Sequence, residues 1–269
     1  MEVSIAGHEL VLRPLGPGDE AFVFETAGML PGPRATALIA RCLVDGERIA
    51  PRLTVGHREA LLLHLRRLTI GDDADAVLQC PSETCRERME IPLRVSDLLV
   101  PPYEDAGTIG TAAVVADGAQ YNVRFELPTA SDVDAVAMIA RVDPQRAADD
   151  LLRRCVTAAS CDGAAIDAGA LPDAARDAVS ESMAAGDPQA ELELDLTCPW
   201  CGMSFSALFD AATFLLCELD QRAAALVSDV HTLALHYHWS EADILALPPR
   251  RRERYLELVA SSVSRARMR

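Results

Sequence analysis

Three segments of the chain recur in the same order. VLRPLGPGDE at 11–20 is echoed by VRFELPTASD at 123–132, and ALIARCLVDGERI at 37–49 by LLRRCVTAASCDGAAI at 151–166. VLQCPSETCRERMEIPLRVSDLL at 77–99 is echoed in turn by LDLTCPWCGMSFSALFDAATFL at 194–215. The offsets grow slowly, 112, then 113 or 114, then 118 residues, as a duplication followed by small insertions produces. The constraint is strong, because whatever one copy folds into, the other is expected to fold into as well.

Each copy reads as a short strand (Glu9–Arg13; Val123–Leu127), a turn and a helix start. Thr129 and Asp132 have the spacing of a capping box, which satisfies free amides at a helix N-terminus. An apolar helix then carries Cys42 or Cys155 in matching places, and a second helix follows at Gly56–Leu68 and Ala174–Ala185. Last come two strands around a cysteine pair, Ala76–Gln79 with Met89–Leu93 and Glu191–Leu196 with Met203–Leu208. The run AELELDLT alternates polar and apolar residues, the period of a strand with one buried face.

From Phe209 the pattern changes to a long helix with Leu215, Leu219, Ala223, Leu226, Val230, Leu233 and Tyr237 on one stripe. Ser240 and Asp243 predict a new helix start, Pro248 and Pro249 interrupt it, and Arg250–Val263 resumes as a basic amphipathic helix. The expected fold is therefore α+β: two related strand-helix-zinc-ribbon units followed by a helical extension. The boundaries are 1–99 for the first unit and 121–208 for the second, with 209–269 helical. Prolines, glycines and small residues mark 100–120 as a linker or long excursion.

The cysteine pairs are Cys80 with Cys85 in CPSETC and Cys198 with Cys201 in CPWC. Both sit where one strand ends and another begins, the setting of a zinc-ribbon knuckle. Zinc takes four ligands and each copy supplies two, so one structural zinc per chain, shared by the copies, is expected. Such a closed site clamps the fold and does no catalysis. Cys42, Cys155, Cys161 and Cys217 lie among apolar neighbours and read as core fillers. The histidines of HTLALHYHW, with His231 and His238 seven apart, carry no ligand motif and read as helix-surface or interface residues.

Against 25 Lys+Arg the chain sets 41 Asp+Glu, a formal net charge of −16, which repels phosphate backbones. MEVSIAGHELVLR carries acidic residues early and no long apolar run, so it is not expected to be a signal peptide. No apolar run is long enough to span a bilayer, and no phosphate-binding or nucleophile-elbow motif occurs. The expectation is a cytoplasmic non-enzyme with reduced cysteines. Arg250, Arg251, Arg252 and Arg254 form one basic patch, which reads as a solvated face, as a docking surface for an acidic partner, or as a self-contact with the protein's own acidic body.

The closing segment HTLALHYHWSEADILALPPRRRERYLELV resembles the signature of the T-even-type phage baseplate hub assembly chaperone family. Relatives of that family also occur in gene clusters for phage-tail-like contractile injection systems. The resemblance is carried by His231, Leu233, Ala234, Tyr237, Trp239, Ser240, Glu241, Ile244, Leu245, Pro248, Arg251, Arg252 and Tyr255. It extends to LLHLRRLTIGD and LPTASDVDA. The chain departs from the family at His238, where glycine is usual, and in the longer spacing of CPSETC. The resemblance implies binding to baseplate, hub or spike subunits of a contractile tail, as a transient chaperone or a retained component. With the basic patch, it makes Tyr237, Trp239, Arg250, Arg251, Arg252 and Tyr255 the candidate partner-binding residues. A zinc-ribbon nucleic-acid-binding regulator is the alternative, which the acidic residues upstream of Cys198 oppose. A metalloenzyme ranks third, since it needs an open metal position and a nearby base.

Overall fold

A computed structural model of the chain describes residues 2–5, 8–100 and 109–267. The chain divides into two compact units, one formed by Met1–Pro14 with Leu30–Leu215 and the other by Leu15–Met29 with Leu216–Arg269. Mixed helices and strands make the fold α+β, as expected.

The first half of the chain runs β1 (Glu2–Ile5), β2 (His8–Val11), α1 (Pro17–Glu25), α2 (Pro31–Cys42), α3 (Gly46–Ile49), α4 (Val55–Thr69), β3 (Asp73–Gln79) and β4 (Arg88–Arg94). The second half runs β5 (Ile109–Ala116), β6 (Ala119–Glu126), α5 (Ala130–Ala140), α6 (Pro144–Cys155), β7 (Val156–Cys161), β8 (Ala164–Ile166), α7 (Asp173–Gly186), β9 (Leu192–Thr197) and β10 (Ser204–Phe209). The order hairpin, two helices, helix, hairpin thus occurs twice. Helices α2 and α6 are both 12 residues long, start on a proline and end on a cysteine. Proline suits a helix start because its missing N–H has no partner there in any case.

After those cysteines the chain extends in both halves. Val156 joins a ladder with Phe125, and Leu43 makes an isolated antiparallel bridge to Leu12. The halves then diverge at the same Asp-Gly dipeptide. Asp162 and Gly163, at φ 47° and 84°, form the tight turn between β7 and β8. Asp45 has a similar φ of 54°, but Gly46 begins α3 instead. A Cβ on Gly46 would lie 2.1 Å from the Ala40 carbonyl oxygen, so this turn is folded back onto α2.

The four-stranded sheet has the order β5-β6-β7-β8, entirely antiparallel, and α7 packs on one face of it. Ala112, Val123, Phe125, Leu127, Ala159, Leu171, Ala175 and Val179 form its core. Part of the span 100–120, whose composition reads as a linker or long excursion, is therefore the edge strand β5 and the start of β6. Glycine is required at 110, where a Cβ would sit 2.4 Å from the Phe125 ring. Residues 101–108 of that span lie outside the described residues.

Polar contacts join the halves inside this unit. Thr54 bridges Thr129, and the Ala130 N–H donates to the Leu53 carbonyl at 2.8 Å. The Gly56 N–H donates to Asp187 Oδ2 at 2.7 Å, and a Cβ on Gly56 would lie 2.0 Å from Asp187 Oδ1. Gln189 donates to the Leu98 carbonyl and accepts from the Val100 N–H. Buried Arg58 pairs with Glu59 at 3.0 Å and with Asp134 at 3.5 Å. Burial pushes the Glu59 carboxyl up against the pull of Arg58, and Glu59 Oε2 accepts the Ala212 N–H. Every one of these buried groups has a partner, the condition for burying polar atoms without a large penalty.

The other unit is helical. It holds α1, the part of α8 (Ala211–Tyr237) from Leu216 onward, α9 (Glu241–Leu245) and α10 (Pro249–Arg267). Arg222 of α8 pairs with Glu20 of α1 at 3.2 Å, so a helix of the first half of the chain is assigned to this unit with the C-terminal module. Leu233, Ile244 and Val259 form the core of the module, flanked by Tyr237, Trp239 and Tyr255. Ser240 caps α9 through the Asp243 N–H, at the start the sequence predicts.

Candidate metal centre

Hairpins β3–β4 and β9–β10 each present a cysteine pair at the turn. The first cysteine of each pair closes its knuckle in the same way. The Cys80 N–H donates to the Glu87 carbonyl and the Cys198 N–H to the Met203 carbonyl, both at 2.9 Å. The residue after the second cysteine is left-handed in both, Arg86 at φ 50° and Gly202 at φ 74°. The two extra residues of CPSETC are taken up locally. The Ser82 carbonyl accepts the N–H groups of both Cys85 and Arg86 at 3.1 Å, and the Gln79 side chain donates to the Arg86 carbonyl at 2.9 Å. The longer spacing therefore still delivers both thiols to one place.

All four sulfurs lie within 4.8 Å of one another. Cys80 Sγ is 3.7 Å from Cys201 Sγ, and Cys85 Sγ is 3.8 Å from Cys198 Sγ. These contacts are too long for disulfide bonds, which measure about 2.05 Å. They match the edge of a tetrahedron about a metal with bonds of ~2.3 Å to sulfur, an edge of ~3.8 Å. Leu78, Met89, Ile91, Leu196 and Phe205 pack around the cluster, which buries Cys80 and Cys198. Cys85 is half-buried and Cys201 exposed, and the four soft donors together are the full ligand set of a tetrahedral metal site.

The thiols are electrostatically unequal. Burial works to raise Cys198, but the N–H groups of Cys201 and Trp200 and the neighbouring thiols outweigh it and bring that thiol down to about 7. At Cys80 the Ser82 N–H pulls down, while burial and three neighbouring thiols push the group up to about 12. Four thiols this close cannot all ionise without a cation among them.

The other cysteines separate by burial. Cys42 and Cys155 are core residues, and burial pushes the Cys155 thiol up to about 12. Cys161 is half-buried, and Cys217 is exposed rather than packed in the core, since its place on α8 turns away from the apolar stripe. His231, His236 and His238 are exposed, and among the described residues the four cysteines are the one group placed to hold a metal.

The candidate partner-binding residues fall into two sets. Tyr237 stacks on Trp239 at 4.8 Å, and Tyr255 meets both rings edge-on at 5.6 and 4.8 Å, so these aromatics are half-buried within the module. Arg250 and Arg251 are exposed, with Arg251 lying 5.8 Å from the centre of the Tyr255 ring. Arg252 is buried and points to Asp229 at 3.4 Å, so its role is inside the module. His238, at the position where the resembled family has glycine, holds the left-handed conformation that glycine favours, φ 55°. Sequence reasoning missed Trp200, 68% exposed at the tip of the second knuckle, where it lines an open groove of about 560 Å³ with Val77, Arg88, Met89, Glu90 and Pro199. A tryptophan between the two cysteines of CPWC was the available signal.

No helix of the described residues is long and apolar enough to cross a membrane. The family described as T4 bacteriophage base plate protein matches residues 35–216, a span that includes both cysteine pairs. No curated protein and no solved structure matches the chain.

Proposed function

Because the chain belongs to the T4 bacteriophage base plate protein family, we propose that it helps to build, or forms part of, the baseplate or hub of a phage-tail-like contractile particle. It acts by binding and not by catalysis. Its partners are baseplate, hub or spike subunits, met in the cytoplasm, and it either leaves after assembly or stays in the particle. The family match over both halves carries this reading.

Zinc is the ion proposed for Cys80, Cys85, Cys198 and Cys201, one per chain, because four thiolates at tetrahedral spacing suit it. When bound, it neutralises the clustered thiolates and ties the two hairpins together. The chain's own part is to present the sulfurs: β3 and β9 aim the first cysteine of each pair, and the left-handed residues Arg86 and Gly202 turn the chain into the second strand. The exposed Arg250 and Arg251 offer charge to an acidic partner surface and set encounter and register more than affinity.

The experiment is a pull-down of the tagged protein from cells expressing the neighbouring genes, with mass spectrometry of the partners and of purified particles. Recovery of tail subunits supports the reading, and presence in the finished particle identifies a retained component. Recovery of nucleic acid without tail subunits overturns it in favour of a zinc-ribbon regulator. Zinc per chain, measured in protein purified without added metal, tests the ion.

A further inference from the structure

The outer edge of the four-stranded sheet, β5, lacks the usual protections of an edge strand. β5 is eight residues long, IGTAAVVA, with no charge and no proline. Sheet edges are normally protected by charge, proline or shortness. β8, at the opposite edge, has three residues; β3, β4 and β9 carry charged side chains; and β10, uncharged like β5, is shorter at six residues. Ile109 and Val115 are 58% and 72% exposed.

The register fixes which groups face outward. Asp117 and Gly118, both at positive φ, make a two-residue turn, and Ala116 pairs with Ala119. The carbonyls of Gln120 and Arg124 accept bonds from the β7 side, so the residues between them, such as Tyr121 and Val123, bond to β5. Their partners Val114 and Ala112 therefore face β6, and Ile109, Thr111, Ala113 and Val115 turn their N–H and C=O groups away from the sheet. Among the described residues no backbone hydrogen bond reaches those groups.

We propose that β5 is the seam of a homodimer, paired antiparallel with β5 of a second copy about a two-fold axis through Ala112. The strand is self-complementary in that register. Ile109 of one copy lies opposite Val115 of the other, and Thr111 lies opposite Ala113, so bulky residues meet at the ends and small ones at the centre. Each of these four pairs exchanges two hydrogen bonds, and the two sheets become one of eight strands. An uncharged strand brings no like charge into contact, which matters for a chain of net charge −16. A two-fold axis uses one surface twice, so a single self-matching strand suffices. The inference does not depend on the baseplate reading.

Sedimentation velocity of the purified full chain, from low to high micromolar concentration, is the test. Wild type is expected to form dimers reversibly. Ala113→Pro removes an N–H that the single chain does not use but the seam uses twice, and should weaken dimerisation roughly tenfold or more. Val115→Lys, on an exposed side chain, should do the same by replacing the apolar contact between Val115 and Ile109 of the other copy with a charge, the device by which edge strands resist pairing, while leaving the melting of the monomer unchanged. If Ala113→Pro fails to fold, Val115→Lys decides the matter. A wild type that stays monomeric throughout overturns the proposal, as does a dimer whose dissociation constant is unchanged in Val115→Lys.

Discussion

The first half of the chain and the second place the same elements in the same order, but they spend their residues differently. In the second half, β5 to β8 close a four-stranded sheet over α7, with Phe125 at the centre. In the first, the corresponding strand contact is a single bridge between Leu12 and Leu43, and Gly46 is tucked against α2 where the second half grows a hairpin. The knuckles differ in the opposite sense: CPSETC is the longer and CPWC the tighter, yet both bring their thiols to one point. Element order and ligand geometry persist where the two halves must meet, and the sheet is free to vary where they do not.

The largest test of this comparison is at the cysteines. Cys85→Ser in the loose knuckle and Cys198→Ser in the tight one are each expected to abolish zinc binding. Each should lower the unfolding midpoint by roughly 10 °C or more, because structural zinc contributes folding free energy directly. A Cys85→Ser protein that retained its zinc would show that the longer knuckle is not an equal partner. Next come the matched core positions. Phe125→Ala should cost about 3–5 kcal/mol, and Leu12→Ala should fall lower in a range of about 2–5 kcal/mol. Denaturant titration of the pair checks the order, and equal costs would mean that the bridge region is as tightly packed as the sheet.

Smaller effects belong to the left-handed residues. Arg86→Gly and His238→Gly should each stabilise by up to about 1 kcal/mol, and Gly202→Ala should destabilise by about the same amount. Opposite signs at Arg86 and Gly202 would show that both knuckles need the same turn, and identical signs would separate them. The smallest effect is at Asp72, which the Ser96 hydroxyl, 2.8 Å away, holds below the usual carboxylate range, with burial opposing and the Ser96 N–H, Arg67 and Arg94 assisting. A carboxyl with a lowered folded pKa adds stability above its unfolded value of about 3.9 and loses it as pH falls through the folded value. The drop in melting temperature on acidification below pH ~4 should therefore be shallower in Asp72→Asn than in wild type.

Much of this was legible in the sequence because the signals were local. The capping pairs Thr129–Asp132 and Ser240–Asp243, the helices ending on Cys42 and Cys155, and the strands around each cysteine pair announce themselves by spacing. β5 did not, because close approach to the Phe125 ring demands glycine at 110, and the prolines, glycines and small residues around it look like a linker. β7 and β8 were hidden behind the helix signal of LLRRC, since nothing before Val156 tells a reader that the chain will extend. The grouping of α1 with the C-terminal helices depends on tertiary contacts such as Glu20–Arg222, which no periodicity encodes. Arg252 was read with its neighbours as part of a basic patch, and its inward turn toward Asp229 rests on three-dimensional charge pairing.

The thiols of Cys85 and Cys198 meet across 113 residues of chain. During synthesis the first pair leaves the ribosome long before the second exists, so the site is completed only after most of the protein has been made. Once a metal joins the pairs, everything from α4's neighbouring hairpin to β9 becomes a closed loop. A cross-link over ~100 residues removes about 4–5 kcal/mol of chain entropy from the unfolded state by the loop-closure estimate used for disulfides. The cluster would then act as a late-set latch, which rewards a chain for having both of its halves in place.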